Sequence, residues 1–263
     1  MINSNNALIL KNEQVARDIY VIELHIPNIT FICRAGQFVN LYTGNNAMLL
    51  PRPISICRAD KNRGVIKLVY RIAGKGTEII SRMKPDSLIR VMGPLGNGFK
   101  LEHGKVALVG GGVGIPPLLE LAHALRENDD ETDINVFIGY RNNETFLLNE
   151  FREICRHVDI ATDDGSAGFH GNSVDLFKNG DTTQADFVYA CGPLPMLKSL
   201  SEYMRNRADR LFLSLEERMG CGTGACMGCA VKVRDGANWV YKRVCRDGPV
   251  FTASDLLFDI EGA

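Results

Sequence analysis

Apolar and polar positions fall into two regimes along this chain. Through the first hundred residues they alternate with a period of two, in short runs over 19–24 and 65–70. Clusters of Gly, Asn, Asp and Pro separate the runs, which predicts many short strands closed into a small β-barrel or sandwich. One helix is expected there, over 76–83, with Thr77 as its N-cap after Gly74-Lys75-Gly76. From about residue 104 to 215 the pattern changes. Short apolar runs at 106–109, 134–138, 158–161, 187–190 and 211–215 alternate with helical patterns at 116–126, 147–156 and 194–204. That alternation predicts a doubly wound parallel sheet. The remainder carries a hairpin pattern, 230–233 then 239–242, among glycines and cysteines. The expected architecture is a β-barrel domain (1–100), an α/β doubly wound parallel-sheet domain (101–215) and a small C-terminal module (216–263).

Composition narrows the function classes. The 263 residues carry a formal net charge of −1, which gives no electrostatic case for nucleic acid or an anionic membrane. No apolar run approaches the length of a membrane-spanning helix. Residues 1–10 are polar and lack the basic-then-apolar pattern of an export signal. Of eight cysteines, Cys33, Cys57, Cys155 and Cys191 are scattered singly, as expected of reduced thiols in a cytoplasmic protein.

The other four cysteines are not scattered. Cys221, Cys226 and Cys229 read C-x4-C-x2-C, and Cys245 follows. This is the spacing by which plant-type ferredoxins hold a 2Fe–2S cluster. Glycines at 220, 222, 224 and 228 allow the backbone to approach the metal closely. Zinc also takes four cysteines, but usually as two separated knuckles, whereas three ligands here crowd one loop. Disulfides would need an oxidising compartment. The stretch from Cys221 onward is too short for its own large core, so the module is expected to lean on the preceding sheet or on another protein.

Three further groups are candidates for binding phosphate or flavin. Gly110, Gly111, Gly112 and Gly114 lie between a predicted strand and a predicted helix with Pro116 in its first turn. Helix N-termini with nearby glycines bind phosphate through main-chain amides. This run is not a standard G-x-G-x-x-G, and a ligand-free βα turn is the alternative. Arg52-Pro53-Ile54-Ser55 lies on an expected edge strand, since proline cannot donate to a ladder. The arginine there suits a phosphate and the serine a ring nitrogen, or the arginine is merely solvated. Val69, Tyr70 and Arg71 lead into Gly76 and Thr77, whose amides suit a pyrophosphate; an ordinary turn and cap is the alternative.

Taken together, Arg-Pro-Ile-Ser, the Gly76-Thr77 helix start, 92–96, the 110–114 turn and Cys191-Gly192-Pro193 occur in an order that resembles the ferredoxin-NADP reductase superfamily. The resemblance implies FAD at Arg52, Pro53, Ile54, Ser55, Val69, Tyr70, Arg71, Gly76 and Thr77. It implies NAD(P) at Gly110, Gly111, Gly112, Gly114, Cys191, Gly192 and Pro193. With the cysteine loop from Glu216 to Cys229 at the C-terminal end, the whole chain is similar to the electron-transfer subunits of NAD-dependent, two-protein dihydroorotate dehydrogenases. That family implies a catalytic partner subunit carrying FMN, two copies of each subunit, and electrons passing from FMN through the cluster and FAD to NAD⁺ in pyrimidine biosynthesis. The hard chemistry is then the cofactors', and no general base is required of this chain. Reductase subunits of cytoplasmic hydrogenases or glutamate synthase-like complexes use the same modules. A zinc-stapled binding module without catalysis is the alternative of another class. Arg141, after the second α/β strand, is compatible with a 2′-phosphate, whereas the resemblance favours NAD.

Overall fold

The computed structural model describes residues 3–45, 47–180 and 185–258. Its first half is a closed six-stranded barrel in the order β1-β2-β5-β4-β3-β6. The strands are β1 (Asn3–Ala16), β2 (Ile19–His25), β3 (Phe38–Tyr42), β4 (Arg52–Asp60), β5 (Val65–Arg71) and β6 (Leu88–Leu95). Alternating residues such as Ile22, Leu24, Ile66 and Leu68 fill the barrel interior and are fully buried. Closure removes the free edges that an open sheet of this size would expose. Two short helices decorate the barrel, α1 (Pro27–Thr30) and α2 (Lys75–Ser81). Thr77 is not the N-cap of α2. Gly74 holds that position, and the Thr77 hydroxyl, one turn inside, accepts from the amides of Ala73 and Gly74 at 2.9 and 3.3 Å.

β4 is not an edge strand along its whole length. Arg52 to Ser55 pair with β3 alone, whereas pairing with β5 begins at Ile56. The two strands splay apart at the barrel mouth, so Pro53 sits where no second partner needs its missing donor.

The second half is a seven-stranded sheet ordered β10-β9-β8-β7-β11-β12-β15. Its strands are β7 (Lys105–Gly111), β8 (Asp133–Tyr140), β9 (His157–Thr162), β10 (Phe169–His170), β11 (Phe187–Cys191), β12 (Leu211–Ser214) and, in the last region, β15 (Val250–Thr252). Pairing is parallel except for β15, which runs antiparallel to β12. Helices α3 (Ile115–Asn128), α4 (Leu148–Ile154), α5 (Ser173–Asn179) and α6 (Leu194–Tyr203) cover it. The chain order reverses between β7 and β11, so the crevice beyond their carboxyl ends is where such sheets bind ligands. β13 (Ala230–Asp235) and β14 (Asn238–Arg243) form the hairpin expected from the sequence.

The halves share one hydrophobic core: Val21, Cys57 and Val69 of the barrel pack with Leu118, Leu121 and Ala122 of α3. Polar contacts lock the seam. The carboxylate of buried Glu120 accepts from the Ala59 amide at 2.9 Å and from the Arg58 guanidinium at 3.1 Å. Lys67 donates to Glu150 at 2.8 Å, and the Arg17 amide to Glu144 at 3.0 Å. Glu120→Ala leaves the Ala59 amide unpaired beside the core and Arg58 with Glu127, 3.5 Å away, as its remaining carboxylate. A loss of about 2 kcal/mol is expected, read from the urea midpoint.

Candidate functional site

Two connected cavities lie between the barrel and the α/β sheet. The first, about 330 Å³, is lined by Arg52, Pro53, Ile54, Ser55, Val69, Tyr70, Arg71 and Thr77 from the barrel. Across from them stand Val113 and the segment Ser214 to Glu217, which leaves the carboxyl end of β12. Gly76 is not itself in the lining, but a Cβ there would overlap the Arg52 guanidinium. The guanidinium is thus packed on the amino end of α2, with Leu50 O and the Met48 sulfur as partners. Two positive elements so close suit an anion between them. Tyr70, part of this lining, is held in place from behind: it is buried, stacks on Tyr20 with centroids 5.8 Å apart, and its hydroxyl donates to Asn12.

The second cavity, about 400 Å³, runs from Gly112 and Val113 to Tyr140, Arg141 and Asn142. It shares Arg71 and Val113 with the first. The glycines of the turn divide by task. Gly112, with φ +55°, has nothing within 4 Å of where a Cβ would stand and is open to a ligand. A Cβ on Gly110 would meet Leu118 at 2.9 Å and one on Gly111 the Met196 sulfur at 2.8 Å. One on Gly114 would overlap the carbonyl of Cys191. These three glycines permit close packing of strand, helix and neighbouring turn. A Cβ on Gly192 would likewise meet the Met196 sulfur, at 2.6 Å. Cys191 is buried, and that burial pushes its thiol well above the usual range.

The cysteine loop wraps its main chain around the sulfurs. The amides of Thr223 and Ala225 donate to Cys221 Sγ at 3.4 and 3.3 Å, and the amide of Gly224 to Cys245 Sγ at 3.2 Å. The Cys245 amide donates to Cys229 Sγ at 3.4 Å. Cys229 and Cys245 are buried, Cys221 is half-buried and Cys226 is exposed. Burial acts to raise the Cys221 thiol, yet donors from Thr223 and Cys226 prevail and bring it down to about 5. Burial and the neighbouring Cys229 push the Cys245 thiol up to about 12. Among the described residues no three His, Cys, Asp or Glu side chains converge to hold one metal ion. Electrostatically, Cys226 acts on Cys221, and both Cys229 and Cys221 act on Cys245, so the four side chains lie in one neighbourhood. A glycine-rich loop that aims main-chain amides at three of its four cysteine sulfurs fits an iron–sulfur cluster, whose potential such donors tune.

The module does lean on its neighbours. β15 extends the parallel sheet, and the Asn97 side chain, just after β6, donates to the carbonyls of Arg246 and Asp247, both at 3.1 Å. Met219 and Pro249, which flank the cluster ligands in sequence, line the first cavity. Sequence reasoning missed Phe38, Val113, Ser214, Leu215 and Pro249 as lining residues, and counted Glu216, Glu217 and Met219 only with the cysteine motif. The one usable signal was position: 214–217 follows a strand beside the crevice.

Comparison with known proteins agrees with this geometry. Family models described as an oxidoreductase FAD-binding domain and an oxidoreductase NAD-binding domain match residues 6–99 and 108–202. The iron–sulfur cluster binding domain of dihydroorotate dehydrogenase B matches residues 216–257. The dihydroorotate dehydrogenase B (NAD(+)) electron transfer subunit of Geobacillus kaustophilus is 37% identical over 98% of this chain and 100% of its own. That of Streptococcus pneumoniae strain R6 is 40% identical, with the same coverage. This chain belongs to the family of dihydroorotate dehydrogenase B electron-transfer subunits. It carries FAD-, NAD- and iron–sulfur-binding domains and is an oxidoreductase subunit. Among solved structures, one of an NADH-dependent reduced ferredoxin-NADP oxidoreductase matches with TM-score 0.84 and 31% identity, over 96% of this chain and 90% of its own. A ferredoxin NADP⁺ reductase from Neisseria gonorrhoeae shares the fold at TM-score 0.65 and 16% identity, over 77% of this chain and 91% of its own.

Proposed function

We propose that this chain relays electrons from a flavin-bearing dihydroorotate dehydrogenase subunit to NAD⁺, with Cys221, Cys226, Cys229 and Cys245 holding a 2Fe–2S cluster. The observation that carries the reading is the shared lining of the central cavity. Met219 and Pro249 bound it on the cluster side, and Arg71 and Val113 join it to the second cavity. FAD held in that cavity would supply the chemistry that links one-electron exchange on the cluster side to two-electron exchange on the nicotinamide side. The residues of this chain bind and orient. Arg52 and the amino end of α2 neutralise the FAD diphosphate. Ser55 offers its hydroxyl to the flavin, and Ile54 and Val69 pack against the ring. Gly112 and the start of α3 take the pyrophosphate of NAD, with Arg141 and Asn142 near its ribose. Cys191, Gly192 and Pro193 close the crevice beside the nicotinamide.

The partner binds where electrons enter. Cys226 is exposed and the neighbouring Met227 is 47% exposed, so this edge of the loop is the one a partner's flavin can approach. Two copies of each subunit are the expected assembly. No helix among the described residues is long and apolar enough to cross a membrane, and the four scattered thiols are buried and free, in keeping with the cytoplasm. The test is to co-purify the chain with the product of a neighbouring dihydroorotate dehydrogenase gene and assay dihydroorotate-dependent reduction of NAD⁺. No such activity in a complex loaded with flavins and iron would overturn the reading. A second reading, in which the same relay serves another flavoprotein, rests on the likeness to the ferredoxin-NADP oxidoreductase structure. It predicts that a complex isolated from the native host carries a partner with no dihydroorotate activity.

A further inference from the structure

Asn40 stands where the barrel meets the cysteine loop. It lies on β3, in register with Pro53 of β4, one of the residues lining the central cavity. Its side chain is fully buried, and Nδ2 donates to the main-chain carbonyl of Cys221 at 3.2 Å. The loop is shaped around it: Gly222 has φ +70°, and a Cβ there would overlap the Asn40 carboxamide. Among the described residues, Asn40 Oδ1 is the only buried side-chain nitrogen or oxygen without a hydrogen-bond partner. A leucine of similar size would remove the orphaned Oδ1 but would also take the donor from the Cys221 carbonyl, so the amide is accounted for by that one contact with the loop.

We propose that Asn40 is a positioning residue for electron transfer between cluster and flavin. This rests on the cysteine loop being a cluster site. The amide fixes the Cys221 carbonyl, and with it the start of the loop, at one register against the strand pair that forms the flavin cavity. The Thr223 and Ala225 amides aimed at Cys221 Sγ depend on that same loop conformation. Hydrogen bonds outside the ligand set orient ligands and tune the metal. Losing the Asn40 contact therefore alters both the electronic environment of the cluster and its coupling to the flavin. Asn97 anchors the Cys245 side of the module independently, so the module stays attached when Asn40 is changed.

The test uses the full-length subunit, purified anaerobically, with Asn40→Ser and Asn40→Leu. The wild type must first give the electron paramagnetic resonance signal of a reduced 2Fe–2S centre; without it the cluster reading itself fails. In the variants, unchanged FAD content and an unchanged rate of flavin reduction by NADH are expected. The cluster signal shifts or broadens, and electron passage from reduced flavin to cluster slows about tenfold. Loss of iron with FAD retained in both variants would also support the role. If only Asn40→Leu loses iron, the serine variant decides. Identical signals and transfer rates in wild type and the cluster-bearing variants would overturn the proposal. So would loss of FAD and iron together from both, which would make Asn40 a folding residue only.

Discussion

Cys226→Ser abolishes dihydroorotate-dependent NAD⁺ reduction in the two-subunit complex while NADH still reduces the bound FAD at the wild-type rate. The split follows from how little the two sites share. The flavin cavity is built from β3, β4, β5, α2, Val113, Ser214 and Leu215, and touches the cluster module through Glu216, Glu217, Met219 and Pro249, none of them a cysteine. Cys226 lines neither cavity. Serine offers a hard oxygen donor where iron–sulfur chemistry takes thiolate, so the cluster is lost or displaced. The loss of coupled activity is expected to reach at least about 100-fold, the upper range for losing even an outer partner of a metal site. Cys226 is exposed and Ala225, beside it, has its amide turned to Cys221 Sγ, so exchanging sulfur for oxygen there does not disturb a core. Visible spectra, iron analysis and stopped-flow reduction by NADH measure the three quantities separately. Parallel loss of flavin reduction in a folded variant would argue that the two cofactor sites are not independent.

What the sequence made legible was local. The strand runs at Ile19–His25 and Val65–Arg71 and the parallel strands Lys105–Gly111 and Asp133–Tyr140 announce themselves by period and apolar content. The cysteine spacing is legible for the same reason, because three of four ligands lie within one loop. Ser173–Asn179 and Val250–Thr252 were not foreseen. The first is two turns long, capped by Asn172 after a Gly- and Asp-rich stretch, and the second is three residues held by pairing to a strand some forty residues earlier. Tertiary contact, not pattern, makes both. The site divides likewise. Arg52 to Ser55 were visible as a motif, but Asn40 carries no local signal, since its contact is 181 residues away at Cys221. Glu120 reads as an ordinary polar position on α3 until the barrel is set against it. The glycine turn was visible as a unit, whereas its division into one open and three packed positions needed the neighbours Leu118, Met196 and Cys191.

Arg52→Ala is expected to weaken FAD binding by about 2 kcal/mol, roughly thirtyfold. The guanidinium sits against Gly76 at the start of α2, with Thr77 holding the preceding amides of Ala73 and Gly74 in place. Without an anion, that arrangement brings a cation to the positive end of a helix. With a diphosphate between them, the same arrangement becomes a charge-assisted clamp. Removing the side chain deletes the stronger half of the clamp and leaves the helix amides intact, so binding weakens without vanishing. Arg52→Lys keeps the charge but not the planar fork and should fall between the two. The barrel is insulated from the change, because Arg52 lies at the mouth, where β4 pairs with β3 alone. Fluorescence of FAD released on dilution gives the affinities, and the urea midpoint of FAD-free protein reports the fold. Equal FAD retention by the alanine variant and the wild type would remove Arg52 from the flavin site. The diphosphate would then have to be held by the α2 amides alone.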